Sequence, residues 1–363
     1  MDMRIKWIDR WRGILILLVV MGHVVGELFH YASANSINKY DLWHRVIYSF
    51  HMPAFFFLAG LLWSTDNLKI STYVQKKFRR LMIPYYIWGF LSAVIYIVFS
   101  GLVSSIFSGA VSGAYVGKGD ESWWLPLLSI VHAGGWPNGH GFQCNSVLWF
   151  LPVLFSVEIF FYFMDRWLNW KLLDIIIAIT CIPIHFFLAQ KLPLLPLGIN
   201  NICNYLVYFC VGHSLCQFLN RCNMGLSTWR TLIIGAAILV IYTFTCYIMP
   251  NRSIVRYSFL WHVLFCLLAF CGIAISIIFA IGIKSIWLEK LGVASLAIML
   301  SHKFILIFLL NLIPLAVTVK SLTFCVSACM CVIVTVITLC GSYLIYLVLS
   351  RITPLAIGMK SAK

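Results

Sequence analysis

The chain of 363 residues is 62% hydrophobic and only 10% charged, whereas a soluble protein of this size carries roughly 25% charged residues. Apolar runs of about 20 residues recur along the whole length, which excludes an ordinary soluble domain and predicts a polytopic membrane protein. A net charge of +15 would indicate nucleic-acid binding in a soluble chain. Here it indicates basic cytoplasmic loops that face anionic lipid headgroups, and the sequence has no motif that reads DNA or RNA.

The thirteen cysteines predict neither a disulfide framework nor a metal site. They form no CxxC pair and no zinc-ligand spacing, and most of them lie inside apolar runs, where a thiol acts as a small hydrophobic group.

Apolar runs bounded by charged residues, Gly or Pro predict ten transmembrane helices. With the N-terminus inside, eighteen Lys and Arg fall in inner segments, seven in outer segments, and Lys303 within a span. This bias and an even number of spans predict an all-α polytopic protein with both termini in the cytoplasm. We interpret residues 1–363 as a single membrane-embedded domain. The predicted helices are 12–30, 44–64, 80–108, 147–164, 173–190, 201–219, 230–249, 257–283, 292–313 and 322–349.

The first predicted span places two polar residues at the ends of the run "RGILILLVVMGH". On an α-helix, eleven steps of about 100° bring Arg12 and His23 to the same face, about 16.5 Å apart along the axis. Arg12 is therefore expected near the inner headgroups and His23 near the membrane midplane, and Glu27 extends the face by one turn. The alternative is that Arg12 merely reaches the interface and pairs with Asp9, while His23 bonds within the bundle.

The segment between the third and fourth predicted spans, residues 109–146, is a long outer loop rich in Gly and Trp. Loops of this length are more often functional than mere connections. Within it, "SWWLPLLSIV" is too short to cross a bilayer, and we expect it either to lie in the interface or to re-enter the membrane.

Other predicted spans also carry ionisable side chains at depth. His51 begins "HMPAFFFLAG" in the second span, Glu158 lies in the middle of the fourth, and His302 and Lys303 lie about ten residues into the ninth. A single histidine in such a position is more often structural. Several ionisable groups at comparable depth, however, usually mark a cavity or a pathway.

The chain resembles the membrane-bound acyltransferase family 3, and within it the small fucose 4-O-acetylase-like members. The segments that carry the resemblance occur in the family's order: "DRWRGILILLVVMGH", "FHMPAFFFLAG", "KKFRRLMIPYYIW", "VLWFLPVLF" and "LGVASLAIMLSH". The resemblance covers nearly all of residues 4–310. The family's late motif usually reads aromatic-x-x-His, whereas Met299 stands in the aromatic position here.

The resemblance implies transfer of an acyl group, usually acetyl from acetyl-CoA, to a hydroxyl of an envelope carbohydrate in a bacterial inner membrane. Acyl-CoA is then a co-substrate, no cofactor is permanently bound, and the partners are membrane lipids and a saccharide acceptor rather than nucleic acid. CoA phosphates need cations at the inner face, and Arg12, Arg79 and Arg80 are the candidates. For Arg79 and Arg80 the alternative is ordinary positive-inside charge.

A sugar hydroxyl needs a base, and His23 is our candidate for it. In this interpretation Glu27 orients the imidazole, and His51 lines the acceptor side or polarises the thioester carbonyl. The candidate substrate-binding residues are Trp149, His302 and Glu158, although an interfacial position is the commoner role of such a tryptophan.

Two other functions explain part of the pattern. A polysaccharide or lipid-linked sugar transporter would also carry midplane ionisable residues and broken helices, but it needs no clamp for CoA phosphates. A structural membrane subunit explains the spans and leaves the buried charges without a role. The sequence does not distinguish the acceptor sugar, the hydroxyl position, the acyl chain, or direct transfer from an acyl-enzyme.

Overall fold

The computed structural model describes residues 6–29, 37–64, 68–106, 124–133, 145–168, 173–188, 191–192, 195–219, 228–249, 258–312 and 324–359. Within these ranges the chain is helical and contains no strand, which confirms the predicted all-α class. Helices are the expected form for such apolar segments, because lipid offers no hydrogen-bond partner to exposed backbone groups.

Thirteen helices are numbered here in chain order, and each predicted span coincides with one of them. They are α1 (Lys6–Phe29), α2 (Ile37–Leu61), α3 (Ile70–Lys77), α4 (Ile83–Ile106), α5 (Trp124–His132), α6 (Phe150–Leu168), α7 (Leu173–Phe187), α8 (Ile202–Leu219), α9 (Thr228–Ile248), α10 (Phe259–Gly282), α11 (Ile286–Val293), α12 (Ser295–Leu312) and α13 (Phe324–Ile352).

Three helical stretches among the described residues are long and apolar enough to cross a bilayer alone, namely Ser146–Trp167, Phe259–Gly282 and Ala328–Ile352. A fourth span results if Ile286–Val293 and Ser295–Leu309, which meet at an angle of 81°, are counted together. These helices are consistent with a membrane protein. The prediction of ten spans with both termini inside goes beyond them and stays a prediction.

The first helix is the centre of the bundle, because α1 packs against α2, α10, α11, α12 and α13. Its core-facing side chains are fully buried, and the Trp11 indole donates a hydrogen bond of 2.8 Å to Ser276 Oγ on α10. Residues placed on α1 are therefore held from several sides. The fully buried side chains are Trp11, Leu15, Ile16, Val20 and Val24.

Paired glycines allow two helix crossings to close on backbone atoms. A Cβ at Gly60 on α2 would overlap the Phe209 carbonyl on α8, and a Cβ at Gly212 on α8 would overlap the Phe57 carbonyl on α2. Gly13 on α1 and Gly292 on α11 form a second pair of the same kind. Small residues drive helix association in lipid because they let backbones approach closely.

Replacing Gly60 with Val is expected to destabilise the protein by about 1–3 kcal/mol, because the obstructing atom is a backbone carbonyl that cannot turn away. The measurement is the thermal unfolding midpoint of the purified protein in detergent. Gly26→Ala is the matched control, since the atom nearest to its new Cβ lies 3.9 Å away. Equal midpoints for the two variants would contradict the close crossing.

Several predicted boundaries differ from the structure. The helix α1 begins at Lys6 rather than at residue 12, and α2 spans Ile37–Leu61 rather than 44–64. The basic segment predicted as a loop before residue 80 is helical as α3, and it continues through a π-helical turn, Phe78–Met82, into α4. The sequence predicts a loop here because the polar residues of the segment lower its mean hydropathy. Tyr73 nevertheless anchors it to the bundle, since this side chain is buried and its hydroxyl accepts from the Trp63 indole at 2.9 Å. The predicted ninth span, 292–313, corresponds to α12, and the preceding helix α11 meets α12 at an angle of 81°.

The structure describes only part of the predicted loop 109–146, mainly residues 124–133. "WLPLLSIVH" forms α5, whose Ile130 carbonyl accepts from the Tyr85 hydroxyl at 3.0 Å and whose Ile130 side chain faces Gly89. Tyr85 and Gly89 belong to the first two turns of α4, the end predicted to be cytoplasmic. α5 thus packs on the first turns of α4, and the expectation that it lies in the interface or re-enters the membrane stays a prediction. Most of the remaining loop lies outside the described residues.

Candidate functional site

A cluster of imidazoles surrounds Tyr48 where α1, α2 and α12 meet. The Tyr48 ring stacks on His44 with centroids 3.9 Å apart and meets His51 edge-on at 4.7 Å. Its hydroxyl lies 3.2 Å from His23 Nδ1, and the His23 ring lies 5.2 Å from the His302 ring. The structure thus brings together three predicted site residues, His23, His51 and His302, from the consecutive helices α1 and α2 and the distant α12.

Helix periodicity explains how α2 contributes its part of the cluster. His44, Tyr48 and His51 are spaced at i, i+4 and i+7, which places them on one helix face. Tyr48 was not predicted, although its spacing between two histidines in "HRVIYSFH" was the available signal.

Two of the histidines have a ring nitrogen fixed by the backbone. His51 Nδ1 lies 2.7 Å from the Ile47 carbonyl, and His302 Nδ1 lies 2.9 Å from the Ile298 carbonyl. A carbonyl only accepts, so Nδ1 donates in both rings and the neutral imidazole keeps its lone pair on Nε2. His302 is fully buried, and its Nε2 has no hydrogen-bond partner among the described residues.

A buried ion pair lies one helical turn beyond His23. Lys303 Nζ donates to Glu27 Oε1 at 2.6 Å, with 5% and 13% of the two side chains exposed. The pair joins α1 to α12 next to the contact between His23 and His302, and it gives Lys303 a charged partner. Glu27 was expected to orient the His23 imidazole; the hydrogen-bond partner that the structure places on His23 Nδ1 is Tyr48.

The predicted phosphate-binding cations lie outside this cluster. Arg12 is three turns before His23 on α1 and forms an ion pair of 3.3 Å with Asp9, which is the contact that the alternative interpretation named. A quarter of the Arg12 side chain is exposed, whereas Asp9 is buried. Arg79 and Arg80 are exposed on the π-helical turn. Phosphate binding by these three residues stays a prediction.

The other two predicted substrate-binding residues, Glu158 and Trp149, have contacts outside the imidazole cluster. Glu158 on α6 accepts from Lys77 Nζ on α3 at 2.6 Å, so it is held by helices that do not carry the cluster. The Trp149 ring packs against Tyr205 and Phe150, at centroid distances of 5.4 and 6.4 Å. Their predicted contacts with a saccharide stay predictions.

The cluster has the components of acid–base chemistry. It combines imidazoles, a phenol that contacts one of them, and a neighbouring ion pair, all in a low-dielectric setting where hydrogen bonds are strong. Within the described ranges, no three His, Cys, Asp or Glu side chains converge as metal ligands.

Comparison with known proteins gives one match. The sequence profile of an acyltransferase domain, that of acyltransferase family 3, matches residues 5–347, nearly the whole chain. Neither the curated proteins nor the solved structures contain a significant match. The matched range includes every residue of the imidazole cluster. The chain therefore belongs to acyltransferase family 3, and this membership supports an acyltransferase enzyme of the O-acyl type.

Proposed function

We propose that the protein is an integral-membrane O-acyltransferase that moves an acyl group, in the first instance acetyl, from acyl-CoA to a hydroxyl of a cell-envelope saccharide. The observation that carries this proposal is the contact between the His23 and His302 rings, 5.2 Å apart, with Tyr48 bonded to His23. A bundle that only had to pack would be more stable with apolar residues at these positions.

In the proposed reaction His23 is the general base. Its base-competent tautomer donates from Nδ1 to the Tyr48 oxygen and keeps the lone pair on Nε2. The acceptor hydroxyl oxygen attacks the thioester carbonyl carbon while its proton passes to His23 Nε2. Collapse of the tetrahedral intermediate breaks the carbon–sulfur bond, and the departing thiolate takes the proton back from Nε2. Tyr48 acts as a positioning residue, since it fixes the ring without touching the reacting atoms.

The proposed topology separates the two substrates. With ten spans and both termini in the cytoplasm of a bacterial inner membrane, Arg12 lies at the inner face and meets the phosphates of acyl-CoA. The exposed Arg79 and Arg80 add cations at the same face. The saccharide arrives from the outer side, where His51 and the pair of Glu27 and Lys303 lie.

The direct test uses inner-membrane vesicles that contain the protein, labelled acetyl-CoA and the envelope glycans of the host. We expect label in one saccharide fraction, and mass spectrometry of glycans from cells without the gene should show the loss of one acetyl group. Vesicles that transfer no label above the empty-membrane level would contradict the proposed function.

Arg12→Ala is expected to raise the half-saturating acetyl-CoA concentration, by about tenfold, more than it lowers the turnover at saturation. The reason is that a charge-assisted contact to a phosphate contributes equally to substrate and transition state. Arg351→Ala is the control, because Arg351 is an exposed cation at the C-terminal end of α13. An unchanged half-saturating concentration would remove Arg12 from the donor site.

One observation favours a second candidate, a saccharide carrier. The angle of 81° between α11 and α12 is a broken helix of the kind found in transporters. The vesicle experiment separates the two functions, since a carrier would move labelled saccharide across the membrane without transfer of acetyl label.

A further inference from the structure

Two hydroxyl groups on α13 have no hydrogen-bond partner among the described residues. Thr338 and Ser342 are fully buried, and neither Thr338 Oγ1 nor Ser342 Oγ contacts a donor or an acceptor there. They are four residues apart, so they lie on one face of the helix. A buried hydroxyl without a partner costs stability and calls for an explanation.

The other buried Ser and Thr side chains show what a hydroxyl in this protein ordinarily does. Thr335, one turn away on the same face of α13, donates to the Cys331 carbonyl at 2.7 Å. Ser301 on α12 likewise donates to the Ala297 carbonyl at 2.8 Å. This return bond to the preceding turn is the default in apolar helices. The hydroxyls of Thr338 and Ser342 do not form this return bond.

The face that carries these hydroxyls is the packed side of α13, which lies against α12 and α1. Gly341 on α13 faces Ile305 on α12, and His302, three residues before Ile305, shares that face of α12. The His302 ring in turn approaches His23 on α1. The packed helices α12 and α13 therefore carry His302 Nε2, Thr338 and Ser342, which are three buried polar groups without partners in the described part of the chain.

We propose that the hydroxyls of Thr338 and Ser342 bind the carbonyl oxygen of the acyl group. A thioester carbonyl is a pure acceptor, and a hydroxyl that has given up its return bond is an available donor. The inference rests on the proposed acyl transfer, in which attack on the carbonyl carbon moves an electron pair onto this oxygen. Donors that are already in place stabilise that charge, and they release the oxygen again when the carbon–sulfur bond breaks.

The test compares Thr338→Val and Ser342→Ala with Thr335→Val. All three changes remove a buried hydroxyl from the same face of α13, and of the three only Thr335 has a hydrogen-bond partner among the described residues. We expect Thr338→Val and Ser342→Ala each to lower turnover by about 10²-fold with an unfolding midpoint equal to or above that of the wild type. Thr335→Val should keep the wild-type turnover.

Binding supplies a readout that needs no saccharide. The probes are CoA and an acetyl-CoA analogue in which a methylene group replaces the thioester sulfur, which keeps the carbonyl and blocks transfer. The wild type should bind the analogue more tightly than CoA, and Thr338→Val and Ser342→Ala should abolish this difference while CoA affinity stays unchanged.

The outcomes separate the two proposals. If the wild type binds the analogue more tightly than CoA and yet transfers no acetyl to any saccharide, the result supports the carbonyl site and contradicts the saccharide as acceptor. Equal binding of the two probes by the wild type, full turnover in both variants, or loss of turnover together with a lowered midpoint would each overturn the carbonyl site.

Discussion

His23→Ala is expected to abolish acyl transfer while the protein stays folded. His23 is the ring that contacts both Tyr48 and His302, and loss of a general base lowers turnover by about 10²–10⁴-fold. Because His23 is only half-buried, truncation removes limited packing and the unfolding midpoint should change little. The measurement is the rate of label transfer from acetyl-CoA at saturating donor, together with the midpoint in detergent.

The control for His23→Ala is His262→Phe on α10. The His262 ring packs against His185 and Phe186, away from the cluster, and phenylalanine keeps that packing. Its turnover should match the wild type. Tyr48→Phe removes only the hydroxyl that fixes the His23 ring, and it should give an intermediate loss. Full transfer by His23→Ala would remove His23 from the mechanism.

Lys303→Met is expected to lower the free energy of unfolding by about 3–5 kcal/mol. The substitution leaves the Glu27 carboxylate buried beside a methyl group in place of the ammonium that now lies at 2.6 Å. Since the pair links α1 to α12 beside the two imidazoles, turnover should fall as well. The free energy of unfolding, measured by denaturant titration in detergent, is the readout.

Removing both charges provides the matched comparison. Glu27→Gln combined with Lys303→Met leaves no unpaired charge, so it should restore most of the stability that Lys303→Met loses. A double variant as unstable as Lys303→Met would contradict the assignment of the loss to the buried Glu27 carboxylate.

Lys77→Met removes the ammonium that pairs with Glu158 on α6 and should destabilise the fold to a comparable extent.

The helices were the predictable part of the fold, because apolar runs between charged or turn residues follow from the sequence directly. The predictions failed where a helix is not apolar. The turns of α3 are helical although Lys76 and Lys77 make them polar. Next to the break between α11 and α12, Gly292 packs against the Asp9 carbonyl, a contact between distant residues that no local pattern encodes.

The candidate site was predictable residue by residue but not as an arrangement. Spacing placed His23 and Glu27 on one face of α1, and depth singled out His302 and Lys303. Nothing in the sequence specified that Lys303 would take Glu27 as its partner, or that a tyrosine would hold His23, since both contacts join separate helices. The assignment of Glu158 relied on its depth alone, and its contact with Lys77 depends on the helical form of α3.

The ion pair between α1 and α12 also bears on biosynthesis. Glu27 and Lys303 are separated by 276 positions, and a ribosome adds about 5–20 residues per second. The first helix must therefore wait about 14–55 seconds in the translocon or the lipid before its counter-charge emerges. During that interval the Glu27 side chain is expected to reach toward the headgroups, because an isolated carboxylate is costly in hydrocarbon. Nascent chains of this protein thus lack the link between α1 and α12 until position 303 has been synthesised.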